Sequence, residues 1–139
     1  MLEVVLDTNV LVAALRSSLG ASYRLLHTLE LHTWQPVMSP ALALEYEAVL
    51  KRSATEAGLT LGDIDDLIEY LCSRSRLVQI YFRWRPALRD PDDDRILELA
   101  IRARCAIVTF NARHFAGAER FGVRVMSPKD LLSLIGAPR

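Results

Sequence analysis

LEVVLDTNV, residues 2–10, is a short valine-rich run that ends on an acid. Its apolar residues follow one another with little alternation, which is the pattern of a strand buried on both faces of a parallel sheet. Asp7 closes the run, and a helix is expected to follow. Outward from there, Thr33–Met38, Leu77–Phe82, Ala106–Phe110 and Val123–Met126 read as four more strands, each separated from the next by helical pattern. Ile64, Leu67, Ile68, Leu71 and Cys72 fall on one face of a helical repeat, as do Ile96, Leu99, Ala100 and Ala103. Ser39-Pro40 and Ser127-Pro128 mark helix starts, because serine caps the first amides and proline pre-sets the first turn. The alternation predicts an α/β fold in three layers, α/β/α, with a central, mostly parallel five-stranded sheet and right-handed crossovers.

The length of 139 residues suits one domain over residues 1–139, large enough to bury a core without disulfides or metal staples. Hydrophobic residues at 51% and charged residues at 24% exclude a disordered chain, and no apolar run approaches the ~20 residues of a membrane span. The opening residues carry no basic stretch or small-residue cleavage site, so a cytoplasmic location and no membrane partner are expected. Cys72 and Cys105 lack metal-ligand spacing and read as buried free thiols. Seventeen basic and 17 acidic residues cancel, so bulk charge does not announce a nucleic-acid partner. Charge placement says more: Arg74, Arg76, Arg83, Arg85 and Arg89 crowd one stretch with Tyr81, Phe82 and Trp84, and Asp90, Asp92, Asp93 and Asp94 follow.

Open α/β sheets work at the carboxyl ends of their strands. Asp7 lies at such an end, where an ionised carboxylate is costly unless paired, hydrogen-bonded or bound to a cation; capping the next helix is the alternative. Glu45 shares the edge of the buried face that Leu42, Tyr46 and Val49 define, as a ligand or as a boundary ion pair, while Glu47 falls toward solvent. Asp90, Asp92, Asp93 and Asp94 are more acids than a helix start uses for its dipole and free amides. Their mutual repulsion calls for a hard divalent cation, and a set without histidine or cysteine suits Mg2+ or Mn2+ better than zinc. Such sites support phosphodiester hydrolysis. His27, His32 and His114 are read as structural.

These residues resemble a PIN domain: Asp7-Thr8-Asn9-Val10 after the first strand, Ser39-Pro40 with Glu45-Tyr46 in the next helix, Asp93 before Ile96, and Thr109-Phe110-Asn111 at the fourth strand. The Asp90–Asp94 run with His114-Phe115 further on is similar to the bacterial branch of toxin components of toxin–antitoxin systems, of which VapC toxins are the familiar relatives. The resemblance implies an endoribonuclease with Asp7, Glu45 and Asp93 as metal acids and Asp90 as the competing register for the third. It also implies an RNA substrate, a small antitoxin protein as partner, and a homodimer. Asn111 stands where many members carry an acid, which weakens any second metal. Asn9 and Thr109 are expected behind the metal acids, and Arg85, Arg89 and Arg113 are candidates for contacts with RNA. A catalytically weak scaffold that binds RNA or protein is the rival reading. A receiver domain would want adjacent acids at the first strand, and a haloacid-dehalogenase-like phosphatase a second acid where Asn9 stands.

Overall fold

The computed structural model describes residues 1–80 and 91–136, with backbone alone at 91 and 92. In chain order the elements are β1 (Leu2–Leu6), α1 (Thr8–Arg16), α2 (Ala21–His27), β2 (Trp34–Met38), α3 (Pro40–Ser53), α4 (Leu61–Arg74), β3 (Arg76–Leu77), α5 (Pro91–Ala103), β4 (Ala106–Val108), β5 (Val125–Met126) and α6 (Pro128–Leu134). Short 3-10 turns at Thr28–Leu31, Ala112–Phe115 and Ala118–Phe121 fill the connections. The sheet has five strands in the order β3-β2-β1-β4-β5, and every pairing is parallel.

Parallel strands need long crossovers, and these are right-handed. From β1 the chain steps to β2 and β3 on one side, then returns past β1 to β4 and β5 on the other. Right-handedness therefore puts α1 to α4 on one face of the sheet and α5 on the opposite face. The contacts agree: α1 meets α2 and α3, α3 meets α4, and α2 meets α6, whereas α5 lies against β1, β2 and β4. Both faces of β1 are thereby covered, and Val4, Val5 and Leu6 are fully buried. On α5, Ile96, Leu99, Ala100 and Ala103 turn inward as their spacing predicts.

The strands are shorter than the apolar runs. Among the described residues the third strand covers Arg76 and Leu77, and the fifth Val125 and Met126. β3 joins β2 at Val37, just past Pro36, which has no N–H to offer a ladder. Residues 81–82 of the expected third strand lie outside the described residues. Ser39 and Ser127 cap α3 and α6 as expected, accepting from the amides of Leu42 and Asp130 at 3.1 Å. Both cysteines are free but only half-buried. Glu47, expected in solvent, is half-buried and lies 3.5 Å from Lys51. Arg76, part of the basic stretch, holds Glu3 at 2.7 Å and the Ala103 carbonyl at 3.1 Å, so it ties strand ends together. Among the described residues, no helix is long and apolar enough to cross a membrane.

Candidate active site

The order β3-β2-β1-β4-β5 reverses direction between β1 and β4, and a crevice opens beyond the carboxyl ends of strands at such a point. Asp7 stands there at the end of β1, Thr109 and Asn111 just past β4. The amide of Asp7 donates to the Val108 carbonyl at 2.8 Å, which stitches the two strand ends together. A cleft of about 770 Å3 opens in front of them, lined by Asp7, Thr8, Asn9 and Val12 from β1–α1, by one face of α3, by Asp93, Arg95 and Ile96 of α5, and by Asn111 and His114.

Asp7 precedes α1 in extended backbone, φ −65° and ψ 145°, yet its side chain closes no capping hydrogen bond. The nearby amides of Thr8 and Asn9 ease its charge without being bonded as a cap. Its carboxylate accepts instead from the Thr109 hydroxyl, at 2.7 Å. The residue is only 8% exposed. Burial raises its pKa above the ordinary range, against the Thr109 hydrogen bond, the Thr8 and Asn9 amides and the charge of His114, which all act the other way. A group held like this gains from any cation that arrives.

Thr109 is the hub behind the acid. Its hydroxyl donates to Asp7 and accepts from the Asn111 amide at 2.9 Å and from the Asn9 side-chain amide at 3.4 Å. One donor and two acceptor positions are thus all in use. Asn9 donates to the Thr109 hydroxyl and accepts from the Phe110 amide, so it steadies the acid through Thr109.

Glu45 rises from α3 beside the core residues Leu42, Tyr46 and Leu50. Its carboxylate accepts from the Thr8 hydroxyl at 2.5 Å and lies 3.6 Å from the Arg95 guanidinium. Val49, expected in the core, is half-buried and lines the cleft. Tyr46 is buried and donates to the Leu6 carbonyl, which locks α3 onto the end of β1. Burial first, then the charges of Asp7 and Glu45, push its phenol well above its usual pKa, so it stays a proton donor. Asp93 enters from the first turn of α5, 3.7 Å from His114.

Asp7, Glu45, Asp93 and Asn111 therefore share one cleft, with Asn9 beside them and Thr109 behind. Asp90, Arg85 and Arg89 lie outside the described residues. Arg113 is exposed and does not line the cleft, whereas Arg52, Arg95 and His114 do. Arg52 was detectable, since it continues the helical stripe of Glu45, Ala48 and Val49. Nothing in the sequence places His114 opposite Asp93.

A family model described as PIN domain matches residues 3–113, from the first strand through the β4 end of the cleft. The chain belongs to the PIN-domain family. PIN domains are in general nucleases that use divalent metal ions, so membership carries a nuclease-type function in general. No curated protein matches the chain. In this PIN domain the donors facing the cleft are carboxylate oxygens, the hard ligands that Mg2+ and Mn2+ take. Among the described residues no three histidine, cysteine or acidic groups converge closely enough to hold a metal as they stand. Glu45 is turned to Thr8 and Arg95, and Asp93 faces His114. The donor chemistry fits a divalent cation, and closing the set requires side-chain rotation about α3 and α5.

Proposed function

We propose that this PIN domain is a divalent-metal-dependent endoribonuclease in which Asp7, Glu45 and Asp93 hold Mg2+ or Mn2+ and Asn111 completes the rim. One observation carries the reading: Asp7 is a buried carboxylate at the β1–β4 switch point that neither caps its helix nor pairs with a described cation, and it opens on the cleft that Glu45 and Asp93 share. A bound divalent ion would supply activated water and a counter-charge for the developing phosphate oxygens. The chain's own residues supply the rest. Thr109 orients Asp7, Thr8 orients Glu45, and Arg95 stands where it can exchange Glu45 for a phosphate oxygen of the substrate. Asn111 adds a neutral carbonyl where a fourth acid would bring charge, which favours one tightly held metal over two.

The toxin role belongs to the same proposal. A small antitoxin that enters the cleft with a cationic side chain would neutralise the three acids, and a homodimer is the assembly that accompanies it. The protein works in the cytoplasm in this reading.

The test is cleavage of labelled RNA by purified protein with Mn2+, Mg2+ or EDTA, alongside thermal melting with the same ions. Metal should raise Tm, by ~2.7 kcal/mol of stability at a hundredfold excess over Kd, and cleavage should need it. RNA left intact by folded protein whose Tm does respond to Mn2+ would favour a binding scaffold instead.

A further inference from the structure

α3 carries a second stripe besides its core face. Ala41, Leu44, Glu45, Ala48, Val49 and Arg52 all line the cleft, and their spacing of three and four residues sets them along one side of the helix. The two charged residues of the stripe differ. Glu45 is 14% exposed and sits among the acids. Arg52 is exposed in the last turn of α3, and no ion pair joins it to a carboxylate among the described residues. Seven positions of helix separate them, roughly 10 Å along the axis. Between them the wall is apolar, Ala48 and Val49 from α3 with Val12 from α1, and Leu44, one position before Glu45, stands at the mouth, 67% exposed.

We infer that this stripe is a nucleotide subsite for single-stranded RNA, in which Arg52 holds the phosphate neighbouring the scissile one and Leu44, Ala48 and Val12 receive the unpaired base between them. The inference rests on the ribonuclease reading and deepens it. Three acids in the cleft repel a polyanion, so the strand needs a cation outside the acid cluster to hold it. A guanidinium presents a fork that matches phosphate oxygens. Set about ten ångströms along the helix from Glu45, Arg52 is placed for the phosphate next to the one at the acids. The apolar wall decides the strand type: a duplex keeps its base faces stacked inside, whereas an unpaired base can lay a face on Leu44 and Ala48.

The experiment is fluorescence anisotropy of a labelled single-stranded oligoribonucleotide and of its duplex, with the full chain in EDTA so that binding is read without cleavage. Salt is varied between about 50 and 200 mM. The wild type should bind the single strand more tightly than the duplex. Arg52→Gln should weaken single-strand binding about tenfold, the loss of one charged contact, and flatten the log–log salt slope by about 0.7, the share of one phosphate. Arg52→Lys keeps the charge and should restore the slope with only part of the affinity. Leu44→Ser should narrow the preference for single strand over duplex. Arg124→Gln removes an exposed cation just before β5, at the far end of the sheet, and should change neither quantity. Wild-type slope and affinity in Arg52→Gln, with cleavage by the wild type intact, would overturn the subsite and leave the ribonuclease reading standing. Tighter binding of the duplex would overturn the unpaired-base assignment. A wild type that binds neither RNA overturns the subsite, and the Mn2+ cleavage assay decides the ribonuclease reading separately.

Discussion

Asp7 before α1 and Ser127 before α6 occupy equivalent places. Each follows a strand of the same sheet, each has extended backbone, with φ −65° and −87°, and each precedes a helix. Ser127 accepts from the Asp130 amide at 3.1 Å, and the Asp130 carboxylate accepts from the Ser127 amide at 3.0 Å, a closed capping box. Asp7 is an equally good capping residue by type and caps nothing. The difference lies next door. β5 is an edge strand, so Ser127 meets only its own helix, whereas β1 is the middle strand and brings Asp7 against the Thr109 hydroxyl at the end of β4. A helix-start acid drawn away from its helix toward a cleft is a functional signal that residue type alone does not carry.

The strongest way to break this comparison is Asp7→Asn, which preserves shape and capping ability and removes the charge. Metal-dependent RNA cleavage should fall by more than about 100-fold, beyond what loss of a merely supporting group costs. Tm should hold or rise, because a buried charge has gone. Near-normal cleavage would take Asp7 out of the metal site.

Thr109→Val tests the neighbour that claims Asp7. Losing the hydroxyl strands the carboxylate and the Asn111 amide, so urea unfolding should show a loss of about 1–3 kcal/mol, with cleavage down roughly 10- to 100-fold. A variant that melts like the wild type and cleaves as well would mean the hydrogen bond does not hold the acid.

The pH dependence sharpens the same contrast. The raised pKa of Asp7 means that the folded state resists ionising it. Below the ordinary aspartate value, about 3.9, both folded and unfolded chains are protonated there and the residue is neutral to stability. As pH rises, the unfolded chain ionises first, so stability falls until the folded pKa is passed. The Tm advantage of Asp7→Asn should therefore be nil in acid and grow toward neutral pH; a flat difference would remove burial as the cause. Ser127→Ala is the smallest expected effect: about 1 kcal/mol of stability lost with the cap, and cleavage unchanged.

Much of the frame was legible locally. The run Val4–Leu6 announced a strand buried on both faces because no polar residue interrupts it, and Ser-Pro marked α3 and α6 because capping is settled within four residues. That Asp7 and Asn111 would meet was readable because parallel strands bring their carboxyl ends to one edge, whereas Glu45 and Asp93, which stand on helices, were joined to them by the resemblance. The lengths of β3 and β5 were not readable, since apolar residues continue past the point where a neighbour offers pairing. Nor was the cationic lining. Arg52 shares a helix face with Glu45 and could have been extrapolated, but Arg95 and His114 join the cleft only once α5 and the turn after β4 have packed.

The sequence by itself determined the order of strands and helices, the Ser-Pro caps and the positions of the acids, because those are decided by residues a few positions away. Tertiary structure alone decided what the acids touch, because their partners are remote: Thr109 reaches Asp7 across 102 positions and Thr8 reaches Glu45 across 37. The first contact exists because β4 lies beside β1 and the second because β2 does, which sets α3 against α1, and no local pattern encodes which strand will lie beside which.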